Sequence, residues 1–205
     1  STRFSEAYCP NAMCSPCRAS VLTGLMPSQH GVHTWIDDGM IDEWPENWNA
    51  IEEFESLPRR LSRAGYDTAL IGKYHLGAID RPQNGFKDWI TLQAGHIQSF
   101  YDNEMNINGV RETYPGHSVD FFTDHAVEYI KQRDKESAAP FFVFLTYPAP
   151  YGHWPSVKGE AKNKFAQNYL DTPFNSVPRE ALSKEVIDWM FVRNDKMPDY
   201  HNPDD

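Results

Sequence analysis

Gly65-Tyr66-Asp67-Thr68-Ala69-Leu70-Ile71-Gly72-Lys73-Tyr74-His75-Leu76-Gly77 is the stretch on which the fold turns. Residues 66–71 form a short apolar and β-branched run stopped by glycine, the pattern of a buried strand. A second run of this kind, Phe-Phe-Val-Phe-Leu-Thr-Tyr at 141–147, lies between Pro140 and Pro148. A helical pattern precedes each run. Residues 57–64 lead into the first. Residues 118–133 lead into the second, with Val119, Phe122, Ala126 and Ile130 spaced to form one buried stripe. Helix followed by strand, twice over, predicts an α/β fold: a mainly parallel sheet sandwiched by helices and joined by right-handed crossovers.

Between these units, residues 104–114 carry Asn108-Gly109 in extended-looking surroundings, which predicts a tight hairpin, read as a peripheral insertion. Beyond residue 153 the pattern weakens. Prolines at 155, 173, 178, 198 and 203 interrupt it, and residues 179–192 are the one stretch that could hold a helix of useful length, so 154–205 reads as irregular and loop-rich.

Composition narrows the possible functions. The 205 residues are 40% hydrophobic and 14% aromatic, enough for a globular core and too apolar for a disordered chain. The formal net charge is −10 with Lys and Arg scattered, so no nucleic-acid footprint is visible. A few cations gathered in one cleft could still receive an anionic substrate. No run approaches the roughly 20 apolar residues that span a bilayer. Ser1-Thr2-Arg3-Phe4 lacks the charged and apolar regions of a signal peptide.

Cys9, Cys14 and Cys17 lie within nine positions, and an odd count cannot pair fully within the chain. After Cys14, Ser15 suits a helix N-cap and Pro16 the first helical position, which puts Cys14 at the positive end of a short helix. A helix N-terminus offers N–H groups to an anion, and Arg18 adds a permanent charge within one turn. Other readings use the same residues. Cys14 and Cys17 form a C-x-x-C pair of redox or zinc type, and all three cysteines have a C-x4-C-x2-C iron–sulfur spacing that lacks its fourth thiolate. His30 and His33 could add to a zinc set, although their spacing is short for one.

Lys73 and His75 emerge at the carboxyl edge of the first strand, where open α/β sheets bind ligands. If the backbone stays extended they project to one side and Tyr74 to the other. His153 follows the second strand in the same manner, beside Trp154. The remaining histidines read as structural: His125 in the long helix, His96, His117 and His201 in loops, His30 and His33 at the exit of the cysteine helix. Trp35, Trp44, Trp48 and Trp154 could stack on sugar rings or fill the core.

Two of these segments carry a resemblance. Cys14-x-Pro16-x-Arg18 followed by Leu22-Thr23-Gly24, and Gly72-Lys73-Tyr74-His75-Leu76-Gly77, resemble the two signatures of the formylglycine-dependent sulfatases of the alkaline phosphatase superfamily, in order and in separation. The resemblance covers nearly all of residues 3–155. Cys17 departs from the family, which usually has Ser or Ala there.

The resemblance implies that a maturation enzyme oxidises Cys14 to formylglycine, whose hydrate attacks sulfur and expels the alcohol of a sulfate monoester. His75 would act as the base that regenerates the aldehyde, Arg18 would hold the hydrate, and Lys73 and His153 would contact sulfate. In the family's Pro-His-x-Pro loop the histidine comes two residues earlier than His153, so Tyr151 is a second candidate donor. The implied metal is Ca2+, with position 14 a ligand as formylglycine and its other ligands outside this chain, upstream of residue 1 and downstream of residue 205. The chain is therefore expected to be part of a catalytic domain, without its first strand and C-terminal portion, and inactive alone. The implied substrate is a sulfated small molecule or glycan, and the implied location is exported. A phosphonate or phosphate ester hydrolase of the same superfamily, and a metal-binding module built on the cysteines, are the alternatives.

Overall fold

Strand β1 (Asp67–Gly72) lies near the middle of a five-stranded sheet in a computed structural model that describes residues 3–37, 43–45, 47–97, 99–136 and 139–149. The chain divides into units Ser1–Val157 and Lys158–Asp205, and the second lies wholly outside the described residues, as does the helix expected at 179–192.

In chain order the other elements are α1 (Cys14–Thr23), α2 (Pro27–His30), α3 (Leu57–Arg63), β2 (Asp88–Leu92), β3 (Asn103–Ile107), β4 (Val110–Tyr114), α4 (Ser118–Glu136) and β5 (Phe141–Thr146). The sheet order is β4-β3-β2-β1-β5. β1 pairs in parallel with β5, from Asp67 opposite Phe141 to Gly72 opposite Thr146, and with β2, where Gly72 meets Thr91. β3 and β4 continue the sheet antiparallel. The sheet is thus mixed: three parallel strands carry the helices, and a hairpin is added at one side.

The hairpin turns as its residues dictate. Asn108 and Gly109 both have positive φ, 51° and 93°, the backbone twist that a two-residue turn needs to match the strands. It is part of the sheet, hydrogen-bonded to β2, so the expected insertion is a continuation of the main sheet. β2 itself was not expected from the sequence, although Trp89, Thr91 and Leu92 are fully or almost fully buried in it.

α3 is capped by Ser56, whose hydroxyl accepts the Arg59 N–H at 3.4 Å, with Pro58 in its first turn. α4 forms where its periodicity predicts, but rotated. Phe121, Phe122, Ala126 and Tyr129 face the core, while Ile130 from the expected stripe is 44% exposed. Turning the helix this way adds the rings of Phe121 and Tyr129 to the buried face beside Phe122, at the expense of Ile130, which is the larger gain in apolar area. Arg133 then reaches back over Tyr129 to Asp67 and Asp88 at the starts of β1 and β2, tying the helix end to both strands.

Apolar residues cluster on both faces of the sheet. Ala69, Ile71, Ile90 and Met105 pack with α4, while Leu70, Tyr74, Leu76 and Trp89 pack with Ala19 and Leu22 of α1. The carboxyl ends of β1, β2 and β5 point to the same edge because these strands are parallel, and α1 packs beside that edge.

Candidate functional site

α1 begins two residues earlier than the sequence suggests. Met13 is the N-cap in extended conformation, and Cys14 is the first helical residue. Ser15 does not cap, because its hydroxyl is occupied elsewhere: it accepts the Ile36 N–H at 3.0 Å. Pro16 sits in the first turn, where a missing N–H costs nothing. The first turn closes with Cys17 N–H donating to the Met13 carbonyl. Cys14 is partly buried at this N-terminus, the position the sequence assigns to it.

Lys73 follows the last residue of β1 and comes to Cys14. Its ammonium donates to Cys14 Sγ at 3.4 Å, and the residue is 2% exposed. The backbone of Lys73 is held from both sides. Its N–H donates to the Thr146 carbonyl of β5 at 2.8 Å, and its own carbonyl accepts from the Thr146 hydroxyl and from the Arg18 guanidinium. Arg18 thus crosses from α1 to the strand edge and fixes the residue that carries the ammonium. The close approach of β5 requires glycine at 72: a Cβ there would lie 2.0 Å from the Thr146 carbonyl oxygen, at a φ of 123°.

The extended backbone expected through Lys73-Tyr74-His75 ends at His75, which has φ 56°. The facing of Tyr74 is nonetheless as expected. Its ring packs against Trp89, and its hydroxyl joins Asn49, Gln83 and Asn84 on the far side, where burial holds the phenol well above its ordinary range. His75, 2% exposed, places Nε2 2.8 Å from the Ile36 carbonyl. A carbonyl only accepts, so Nε2 carries the proton and Nδ1 is the basic nitrogen of the neutral ring. The Ile36 peptide is therefore clamped between Ser15 on the cysteine helix and His75 on the strand edge, and this bridge ties the two sequence motifs together. Trp35, 46% exposed, stands beside it with its ring 6.5 Å from that of His75.

His96, read from the sequence as a loop histidine without a matching partner, borders the candidate site in the structure. It lies four residues past the end of β2, on the edge that parallel pairing shares with Lys73 and His75. Burial lowers its pKa, with the charges of Lys73 and His75 lowering it further and those of Cys14 and the Ile97 carbonyl opposing. Its Nδ1 lies 3.1 Å from the Ile97 carbonyl. The signal that could have found it is the buried run Trp89-Ile90-Thr91-Leu92, once read as a strand parallel to β1. His153 and Tyr151 lie outside the described residues.

His30 and His117 hold structural contacts. His30 Nδ1 accepts the Val32 N–H and its Nε2 bonds the Ser20 hydroxyl, fixing the exit of α1. His117 stacks on Phe100 and accepts the Val119 N–H at the start of α4. The cysteines are not gathered on one point: Cys9 Sγ lies 3.3 Å from Cys17 Sγ, while Cys14 takes the Lys73 ammonium. Among the described residues no group of three or more His, Cys, Asp or Glu could hold a metal ion, so those residues do not furnish the oxygen set that calcium takes.

Comparison with known proteins bears on the family and the fold. The sulfatase family model matches residues 1–196. The chain is 33% identical over 153 residues to an N-acetylglucosamine-6-O-sulfatase of Bacteroides thetaiotaomicron, covering 74% of this chain and 25% of that protein. It is 31% identical over 179 residues to the human N-acetylglucosamine-6-sulfatase, covering 80% and 31%. A structure solved in complex with its substrate D-glucosamine-2-N,6-O-disulfate superposes with a TM-score of 0.58 at 33% identity, over 74% of this chain and 28% of that one. A Pseudoalteromonas sulfatase, 23% identical with a TM-score of 0.52 over 68% of this chain and 34% of that one, shares the fold. The chain thus spans about a quarter to a third of the length of the curated relatives it matches.

Proposed function

The chain belongs to the sulfatase family, and from that premise we propose that the complete protein hydrolyses sulfate monoesters of an amino sugar at position 14. The observation that carries this reading is the Lys73 ammonium on Cys14 Sγ at a helix N-terminus, two signature segments distant in sequence brought into contact.

Sγ marks where the oxygens of formylglycine would stand. Converted and hydrated, position 14 would supply a geminal diol, one hydroxyl as the nucleophile that displaces the alcohol from sulfur and the other as the group whose loss of a proton re-forms the aldehyde and expels sulfate. The chain's own residues do the rest by position and charge. Lys73 holds a fixed cation at the oxygens of a sulfate seated there, and charge on peripheral oxygens is what the transition state of such a transfer develops. Arg18 holds Lys73 by its carbonyl and adds a second cation to the same side. His75, its Nε2–H anchored on Ile36, directs Nδ1 as the base for the diol proton. His96 borders the same edge as a further contact for sulfate. His153 or Tyr151 remains a proposed sulfate contact. No step is assigned to calcium, because the described residues do not supply its ligands.

The relatives named for 6-sulfated N-acetylglucosamine support a sulfated glucosamine as substrate, and Trp35, exposed beside His75, supports it as a platform for the sugar face. A relative named as an extracellular sulfatase supports an exported protein. The test is hydrolysis by the complete, matured protein of 6-sulfated N-acetylglucosamine, a chromogenic aryl sulfate and the corresponding phosphate ester. Release of sulfate from the sulfated sugar is expected. Turnover of the phosphate ester alone would instead make it a phosphate ester hydrolase.

A further inference from the structure

We propose that Cys9 and Cys17 are a disulfide pair that staples the segment ahead of the nucleophile helix to its first turn, and that Cys14 stands outside this pair. The sequence alone points elsewhere, since Cys14 and Cys17 have the C-x-x-C spacing of a redox couple. The structure sorts the three thiols differently. Cys9 Sγ is 3.3 Å from Cys17 Sγ, with its S–H directed to the Asn11 carbonyl at 2.8 Å, whereas Cys14 Sγ receives the Lys73 ammonium. All three are thiols in the structure.

The environments order the chemistry. Cys9 is exposed, and Cys17 is partly buried on α1 with its thiol pushed up to about 11 by burial and by contact with Cys9. Attack by a thiolate on an external disulfide therefore begins at Cys9. With oxidised glutathione as oxidant, the Cys9 thiolate bonds to one glutathione sulfur and expels the other as a thiolate. Cys17 then loses its proton and attacks Cys9 Sγ, expelling the second glutathione thiolate. Two electrons pass from the two cysteines to the glutathione disulfide, and two protons end on the released glutathione.

The bond would close a short loop through Asn11 and Met13, where the Asn11 side chain already accepts the Met13 N–H at 2.8 Å. The closed ring runs from residue 9 to residue 17 and encloses residue 14, so the staple would stiffen the turn that presents the nucleophile position. Such a bond persists in an oxidising compartment. The pairing stands on the thiol contact, independent of the sulfatase reading. Only its benefit to position 14 rests on that reading.

The test uses the full protein made without a maturation enzyme, so that position 14 remains a thiol. The folded protein is oxidised with glutathione disulfide, unfolded, alkylated with iodoacetamide, then reduced and alkylated with N-ethylmaleimide. All three cysteines fall in the tryptic peptide 4–18, and its fragment spectrum locates each label. The expected result is iodoacetamide on Cys14 and N-ethylmaleimide on Cys9 and Cys17. N-ethylmaleimide on Cys14, or iodoacetamide on all three, overturns the proposal. The same treatment of the urea-unfolded chain should scramble the labels, and an unchanged pattern there would overturn the role given to the folded contact. The C9S variant should leave Cys14 and Cys17 both iodoacetamide-labelled. Because no step requires formylglycine, the labels report the pairing even in a protein that proves not to be a sulfatase.

Discussion

Cys14 and Cys17 sit one turn apart on the same helix, yet their surroundings could hardly differ more. Cys14 heads α1 with an ammonium on its sulfur and an arginine within a turn. Cys17 faces a second thiol, and burial pushes it up to about 11, so it stays protonated at neutral pH. The difference does not come from the helix, which both share. It comes from what the rest of the fold delivers: the carboxyl edge of β1 brings Lys73 to one, and the incoming segment brings Cys9 to the other. A short motif therefore states which residues are present, while the sheet decides which of them can react.

The sharpest way to break this comparison is to remove each sulfur in turn. C14A should abolish sulfate-ester hydrolysis by the complete matured protein, while C17S, a near-isostere away from Lys73, should retain most of it; turnover numbers for both variants decide. Equal losses would mean that the two thiols are not functionally distinct.

Next in size is the cation that marks Cys14. K73M keeps the length of the stem and removes the charge, and kcat should fall by about 10²–10³-fold, the usual cost of losing one fixed charge from such a site. Thermal unfolding should be measured beside it, because Lys73 is buried and its loss could act through folding instead.

A smaller effect is expected at the rim. W35A removes an exposed ring beside His75, and KM for the sulfated sugar should rise about 2- to 10-fold, from an aromatic contact worth ~0.5–1.5 kcal/mol. The kcat for a small aryl sulfate should change little, which separates a substrate platform from a support for His75.

The smallest effect concerns the far end of the shared helix. His30 is buried against Ser20, and burial, with the neighbouring His33 charge, lowers its pKa from the ordinary 6.5. A lowered folded value means that the unfolded chain binds the proton more readily, so the stability from neutral His30 is present above 6.5 and lost as pH falls below it. Unfolding midpoints between pH 7 and 5 should decline, and H30Q should flatten part of that decline. His96 and His125 shift in the same direction and should add to the decline.

What the sequence made legible follows from how local each signal is. β1 and β5 are apolar runs between breakers, α3 carries its own cap, and Asn108-Gly109 specifies its own turn. These needed no knowledge of neighbours. The facing of α4 did, because Val119-Phe122-Ala126-Ile130 and Phe121-Phe122-Ala126-Tyr129 are both legitimate helical stripes and the sheet beneath chooses between them. β2 is five residues with no glycine or proline at its boundaries, and His96 matters only because β2 runs parallel to β1. Ser15 looked like a cap, but a distant peptide, Ile36, had the stronger claim on its hydroxyl. Lys73 and His75 could be placed at the strand's carboxyl edge from sequence because a glycine-bounded strand announced where they emerge, a signal that β2 does not give for His96.

Cys14 must be the position that reacts if the assembled site is to work as described. Mass analysis of tryptic peptide 4–18 from the native protein tests this directly, since it holds Cys9, Cys14 and Cys17 together. The predicted result is an aldehyde at position 14, seen as replacement of CH2–SH by CHO, with both sulfurs retained at 9 and 17. An unmodified Cys14 thiol throughout an active native sample, or an aldehyde at Cys17 instead, would contradict it.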